Sequence, residues 1–136
     1  ICDQEKRILL DIGKWLRVNG EAIYGSYPFE VCAFEGRKSK NGSFKENKTF
    51  RNGDYCFTVK PGKIFVFPLA ETLPQILKIK SLRFAGEGGI RYDIKSVRIL
   101  GQSRELPYNQ REKRFEITLP SKMKNDIPIC IEINVE

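Results

Sequence analysis

Histidine is absent from this sequence of 136 residues. Its absence removes the base that a nucleophilic cysteine needs and a principal ligand of zinc. The cysteines Cys2, Cys32, Cys56 and Cys130 contain no Cys-x-x-Cys spacing, so no zinc site and no metal cofactor is expected. No apolar run approaches the roughly 18 residues that a membrane span requires. Ile1–Arg7 is charged and lacks the pattern of a signal peptide, which says nothing of compartment if these residues follow a longer segment. There is no internal repeat and no low-complexity tract. Gly86-Glu87-Gly88-Gly89 is rich in glycine but lacks the Lys-Ser/Thr ending and the following helix of a phosphate-binding loop; it reads as a hairpin or bulge.

What is present is enough for a packed core. The chain is 40% apolar and 11% aromatic, which excludes disorder and suits one compact domain with an appendage. Lysine and arginine number 24 against 17 acidic residues, a net charge of +7. The densest basic stretch is Arg37–Arg51, with Arg37, Lys38, Lys40, Lys45, Lys48 and Arg51 against Glu46 alone. It reads as a solvated lysine-rich loop, or alternatively as an anion-binding surface for nucleic acid or acidic glycans.

From Asp3 to Val18, Ile8, Leu9, Ile12, Trp15 and Leu16 fall at helical spacing on one face. Lys6, Arg7, Asp11, Lys14 and Arg17 occupy the other. The pair Asn19-Gly20 is a helix stop, expected to adopt the left-handed backbone of a C-cap. After Pro28 the period changes to 2. Tyr55, Phe57 and Val59 alternate with polar residues, as do Val97 and Ile99, then Phe115, Ile117 and Leu119, then Ile129, Ile131, Ile133 and Val135. Ile64–Phe67 is apolar on both faces, as in a central strand covered twice. Turn signals at Asn41-Gly42, Asn52-Gly53, Pro61-Gly62 and Asn125-Asp126 separate these runs. The pattern predicts a mainly β fold, an antiparallel sandwich of about eight strands preceded by one amphipathic N-terminal helix. Cys56 and Cys130 both lie opposite their strands' apolar residues, so they could form a bridge if those strands were neighbours in an exported protein; free thiols are the alternative.

The segment Leu10–Pro28, containing Ile12-Gly13-Lys14-Trp15-Leu16 and Asn19-Gly20-Glu21-Ala22-Ile23-Tyr24-Gly25, closely resembles the end of the catalytic domain in α-L-fucosidases of glycoside hydrolase family 29. Phe34-Glu35-Gly36, Gly42–Glu46, Asp54–Thr58 and Lys63–Leu69 follow the family's order and approximate spacing, and Val97–Gly101 and Phe115–Pro120 resemble its later strands. Tyr27-Pro28-Phe29 departs from the family's more usual Arg-Pro-Trp, and Cys56 from a frequent arginine. The resemblance implies that residues 1–27 are the final helix and exit turn of a (β/α)8-like barrel, and that residues 28–136 form a C-terminal β-sandwich. It implies a parent enzyme that hydrolyses terminal α-L-fucosyl linkages with retention and without a metal, in a periplasmic, extracellular or lysosomal type of compartment.

A retaining glycosidase needs two carboxyl groups about 5 Å apart. The resemblance implies that the nucleophile and the acid/base lie upstream of Ile1. Asp3, Asp11 and Glu21 match no catalytic motif and belong to the helix and its exit. Glu35, Glu46, Asp54, Glu71, Glu87, Asp93, Glu105, Glu112 and Asp126 fall mostly in turns or on outward strand positions, so no catalytic pair is expected here. Trp15, Phe29, Tyr92 and Tyr108 are candidates for stacking on sugar, with Trp15 better explained by packing and Tyr108 the most exposed. The expected partners are the upstream barrel and, through the parent enzyme, fucosylated glycans, with self-association through Ile8, Leu9, Ile12, Trp15 and Leu16 as an option. Nucleic acid is not expected. Two other readings compete with an accessory sandwich: an autonomous carbohydrate-binding module, and a basic oligonucleotide-binding barrel whose aromatics stack on bases.

Overall fold

The computed structural model describes residues 2–29, 33–36, 50–83 and 93–135. Helix α1 spans Asp3–Asn19, with Asp3 and Glu5 in its first turn and Arg17 in its last, the polarity that the helix dipole favours. Asn19-Gly20 does end the α-helix, but not through a left-handed residue. Gly20 has φ −60° and opens a single 3-10 turn, Gly20–Ala22. Its role is to leave space: Gly20 is buried, and a Cβ there would lie 2.8 Å from Cε2 of Tyr24. The left-handed bend falls later, at Gly25 with φ 67°. Buried Asn19 donates Nδ2 to the Trp15 carbonyl at 3.2 Å, one turn back along the helix, which gives this buried amide a partner.

Eleven short strands follow among the described residues: β1 (Tyr27–Pro28), β2 (Phe34–Glu35), β3 (Tyr55–Lys60), β4 (Lys63–Pro68), β5 (Thr72–Leu73), β6 (Ile76–Ile79), β7 (Ile94–Ile99), β8 (Tyr108–Gln110), β9 (Phe115–Thr118), β10 (Met123–Lys124) and β11 (Ile131–Val135). A six-stranded antiparallel sheet runs β1-β3-β4-β11-β7, with β2 sharing the β3 edge beside β1. A three-stranded sheet runs β6-β9-β8, and β5 with β10 forms a short ribbon. The β3–β4 hairpin turns at Pro61-Gly62, where Gly62 takes φ 75° after a proline, as a type II turn requires.

Register explains the core. Across the large sheet Val59, Ile64, Ile133 and Val97 stand side by side, and Phe57, Val66, Ile131 and Ile99 form the next row. Leu77, Ile79, Phe115, Ile117 and Leu119 from the small sheet and its exit join them in one buried cluster. Each such side chain removed from water contributes about 1.5–3 kcal/mol. The expected helix-plus-sandwich architecture is therefore present, with β4 as the central strand that its two apolar faces predicted.

The outer face of the large sheet carries a second, smaller core. Phe65, Leu100 and Cys130 are buried there with Ala22, and Phe67 packs against them. The C-terminal half of α1 lies over this patch. The Trp15 ring is 6.3 Å from that of Phe67, and its indole N–H donates to the Pro128 carbonyl at 2.7 Å. Thr58 Oγ1 donates to the Ala22 carbonyl, and the chain at Gly101 lies so near the helix that a Cβ would meet Val18 Cγ1 at 2.5 Å. The helix's apolar stripe is thereby divided. Trp15 and Leu16 are half-buried, whereas Ile8, Leu9 and Ile12 are 51%, 58% and 49% exposed.

The option of a Cys56–Cys130 bridge is not realised. Strand β4 separates β3 from β11, and Cys2, Cys56 and Cys130 are all thiols. Cys32 lies outside the described residues. So do positions 37–49 of the basic stretch, Gly86–Gly89 and Tyr92. Among the described residues no helix is long and apolar enough to cross a membrane.

Candidate functional site

Two polar constellations stand out, and they have opposite characters. The first is buried. Glu132, only 1% exposed, points to the outer face of the large sheet, where Arg98 Nε donates to Oε1 at 2.9 Å and Lys63 Nζ to Oε2 at 3.3 Å. Lys63 also reaches Glu21 Oε1 at 3.3 Å, tying the helix exit to β4. Asn134 Nδ2 donates to Glu132 Oε1 and to Ser96 Oγ. Burial alone would raise the Glu132 carboxyl; hydrogen bonding with Arg98 and Lys63 outweighs it and holds the group below its ordinary value. Desolvation alone would lower the Lys63 ammonium; its contacts with Glu132 and Glu21 together outweigh it and hold the group above its ordinary value.

Glu21 and Glu132 thus bring two carboxylates together on one ammonium, as a glycosidase pair would require. Their chemistry is wrong for that task. An acid/base carboxyl must keep a proton near neutrality, and Glu132 is pushed the other way and sealed from solvent. The pair fastens the helix exit to the sheet. Alternation alone assigns Glu132 to a solvated face; the helix exit covers that face. The signal that marks it is the register, which sets Arg98 directly opposite Glu132.

The second constellation is open. Where the β2–β3 edge meets β6 and the β8–β9 hairpin, a groove of about 760 Å³ is lined by Glu35, Gly36, Arg51, Asn52, Gly53, Asp54, Lys78, Lys80, Lys113 and Arg114. Both acids are engaged in structure. Glu35 accepts from Lys80 N at 2.8 Å, from Ser81 N at 2.7 Å and from Ser81 Oγ, and Asp54 Oδ2 accepts from Arg51 N at 2.9 Å. Arg114 Nε is paired with Glu116, which also takes Arg111. Lys78, Lys80, Lys113 and the Arg51 guanidinium have no carboxylate partner among the described residues. Arg51 alone of these was marked by the basic stretch in the sequence; the others come from two further segments that only the fold assembles.

The stacking candidates do not form a platform. Phe29 is 4% exposed and packs on Phe57 with ring centroids 5.6 Å apart, so it cannot meet a ligand. Trp15 is committed to Phe67 and Pro128. Tyr108 is exposed as expected, but its ring stacks on Phe115 at 5.8 Å and its hydroxyl donates to the Ile94 carbonyl at 2.9 Å. Of the remaining acids, Asp54 is buried rather than turn-exposed. Glu46 and Glu87 lie outside the described residues. No group of three or more metal-binding side chains occurs among the described residues.

No protein-family model and no curated protein sequence matches this chain. Solved structures do. The chain aligns with an α-fucosidase of Thermotoga maritima at 26% identity and a TM-score of 0.64, over 98% of this chain and 27% of that one. An α-L-fucosidase structure matches at 25% identity and a TM-score of 0.62, over 100% of this chain and 26% of that one. An α-L-fucosidase of family 29 from Bacteroides thetaiotaomicron, at 16% identity and a TM-score of 0.60 over 100% of this chain and 26% of that one, shares the fold. The similarity expected from Leu10–Pro28 therefore extends over essentially the whole chain, which spans about a quarter of the length of the structures it matches.

Proposed function

We propose that this chain is the C-terminal accessory region of an α-L-fucosidase, with residues 1–27 closing a catalytic barrel and residues 28–136 forming the sandwich that braces it. The observation that carries the reading is a likeness over 98% of the chain to 27% of a glycoside hydrolase at 26% identity. The divided helix supports it. Trp15 and Leu16 anchor α1 to the sandwich, and Ile8, Leu9 and Ile12 present an apolar stripe outward, the arrangement a helix needs to join two bodies.

On this reading the chemistry belongs to the barrel. Barrel sites are built on the loops that follow the strands, and each helix returns the chain to the opposite face, so the exit at Asn19–Tyr24 leaves far from the sugar. The parent enzyme would remove terminal α-L-fucosyl residues from glycans in two steps through a covalent intermediate, with both carboxylates supplied upstream. The 136-residue chain alone would be inactive.

The test has two arms. Reading the coding sequence before the Ile1 codon should reveal a barrel pattern of about 250 residues or more. An aryl α-L-fucoside should be cleaved by the longer protein and left untouched by the 136-residue chain. A stop codon directly upstream, or turnover by the short chain, overturns the proposal.

A further inference from the structure

We infer that the groove between the β2–β3 edge, β6 and the β8–β9 hairpin binds an acidic glycan chain, through sulfate or carboxylate groups held by Lys78, Lys80, Lys113 and Arg51. The inference rests on the glycan-hydrolase reading for its choice of glycans among polyanions, and it adds a substrate class to that reading. The groove itself stands on charge and shape. Five cationic side chains line it against two carboxylates. Glu35 accepts three hydrogen bonds from the Lys80–Ser81 turn and Asp54 accepts the Arg51 amide, so both acids are fixed as structural anions and the cations outnumber them. Lys78 and Lys80 are exposed at the end of β6, and Lys113 at the tip of the β8–β9 hairpin whose β9 pairs with β6. Cations clustered on neighbouring strands of one sheet, with Arg51 beside them, focus a positive potential over a concave surface.

Size and lining decide among anions. A space of about 760 Å³ is far larger than one phosphate or sulfate and suits several linked sugar rings. Among the described residues no aromatic ring lines it. Single-stranded nucleic acid relies on aromatic faces for base stacking, and neutral sugars likewise favour an aromatic platform, so neither finds its usual support here. A ligand whose charges recur along a flexible chain, and whose rings need no stacking partner, fits the lining best.

The experiment is calorimetric titration of the 136-residue chain with size-defined heparin, with neutral dextran and oligothymidylate of matched length as comparisons, at low and physiological salt. Heparin should bind, weaken steeply as added salt reduces the gain from counterion release, and exceed both comparisons. The variant Lys78→Gln/Lys80→Gln/Lys113→Gln should lose about tenfold or more in affinity, in line with the removal of several ionic contacts. A control of equal charge change, Lys6→Gln/Lys14→Gln/Lys122→Gln, should lose little. Equal losses in the two variants would reduce the effect to net charge and overturn the site. Oligothymidylate binding more tightly than heparin would replace the glycan by nucleic acid. No heparin binding at low salt would end the proposal. Thermal melts of both variants show that each is folded, and lysine-to-arginine replacement at the three groove positions should restore binding. None of these readings depends on fucosidase activity, so the groove and the parent enzyme succeed or fail separately.

Discussion

Arg98 on β7 and Glu132 on β11 face each other across the large sheet, and the Arg98 Nε–Glu132 Oε1 contact of 2.9 Å joins a carboxylate almost wholly removed from water to a cation that is 38% exposed. This asymmetry predicts unequal mutational costs. Arg98→Met leaves the buried carboxylate short of a partner and should destabilise by about 2–3 kcal/mol. Glu132→Met leaves only partly exposed cations, which can turn toward water, and should cost clearly less. Urea denaturation of both variants checks the order; a larger loss for Glu132→Met would reverse the account.

The same network fixes a pH response. The Glu132 carboxyl is depressed in the folded state, so its stabilisation is complete above its ordinary value of 4.5 and is lost as pH falls through the lower folded value. Thermal melts from about pH 6 to pH 3 should show a falling Tm in wild type and a flatter profile in Glu132→Met. Lys63 is raised above its ordinary value of 10.5, so its contribution is present below that pH and is lost as pH rises past it.

Tyr55 offers a contrasting case. Its hydroxyl is buried beside the groove with no hydrogen-bond partner among the described residues, the Lys78 main chain lying nearby without a well-formed bond. Burial, reinforced by the Glu35 carboxylate, pushes the phenol well above its ordinary 10.0. Tyr55→Phe removes a polar group that folding strips of water for little return. It should leave stability unchanged or raise it by up to about 1 kcal/mol. A raised folded value also means that Tyr55 loses stability as pH climbs through the ordinary tyrosine range, so the variant should fall less steeply above about pH 10. A loss of about 2 kcal/mol or more, on the scale of an unsatisfied buried partner, would show that the hydroxyl is bonded.

The thiols should separate by environment. Cys130 is buried, and burial followed by Glu132 and Glu21 raises its thiol, so little reactive thiolate forms. Cys2 is exposed beside the helix start. With Cys2→Ser, Cys32→Ser and Cys56→Ser combined, the remaining Cys130 should react with Ellman's reagent only as the protein unfolds. A variant keeping Cys2 alone should react without unfolding, because that side chain is exposed.

Much of this was legible in the residues. Period-2 alternation in Phe115–Leu119 and Ile131–Ile133 marks side chains that are buried, and Ile117→Ala or Ile133→Ala should cost about 2–5 kcal/mol in denaturant titrations. Alternation reports a strand's two faces but not what lies on each. It could not foresee that Ala22 and the helix exit cover the outer face, which converts Glu132 from a solvated residue to a buried one. Nor could it find the groove, because Lys78, Lys80, Lys113 and Arg51 are distant in sequence and meet through sheet packing. Asn19-Gly20 was rightly a stop, yet Gly20 serves close packing against Tyr24 rather than a left-handed turn.

The exposed half of α1 is the chain's remaining liability. Ile8, Leu9 and Ile12 follow one another at helical spacing, each about half exposed, on a helix whose other end is fixed by Trp15. Covering a large apolar side chain is worth about 1.5–3 kcal/mol, so three in water favour association even after the entropy of pairing is subtracted. In the 136-residue chain the stripe should drive concentration-dependent self-association through a self-complementary contact. Ile8→Ser/Leu9→Ser/Ile12→Ser should be monomeric by light scattering and should keep wild-type stability to within about 0.5 kcal/mol, as surface changes do. Trp15→Ala should do the reverse, lowering stability through loss of the Phe67 and Pro128 contacts while leaving the stripe free to associate. A wild-type chain that stays monomeric at high concentration would show that the stripe is too small to pair with itself. An Ile8/Leu9/Ile12 variant that unfolds would instead place those residues in the sandwich's own core.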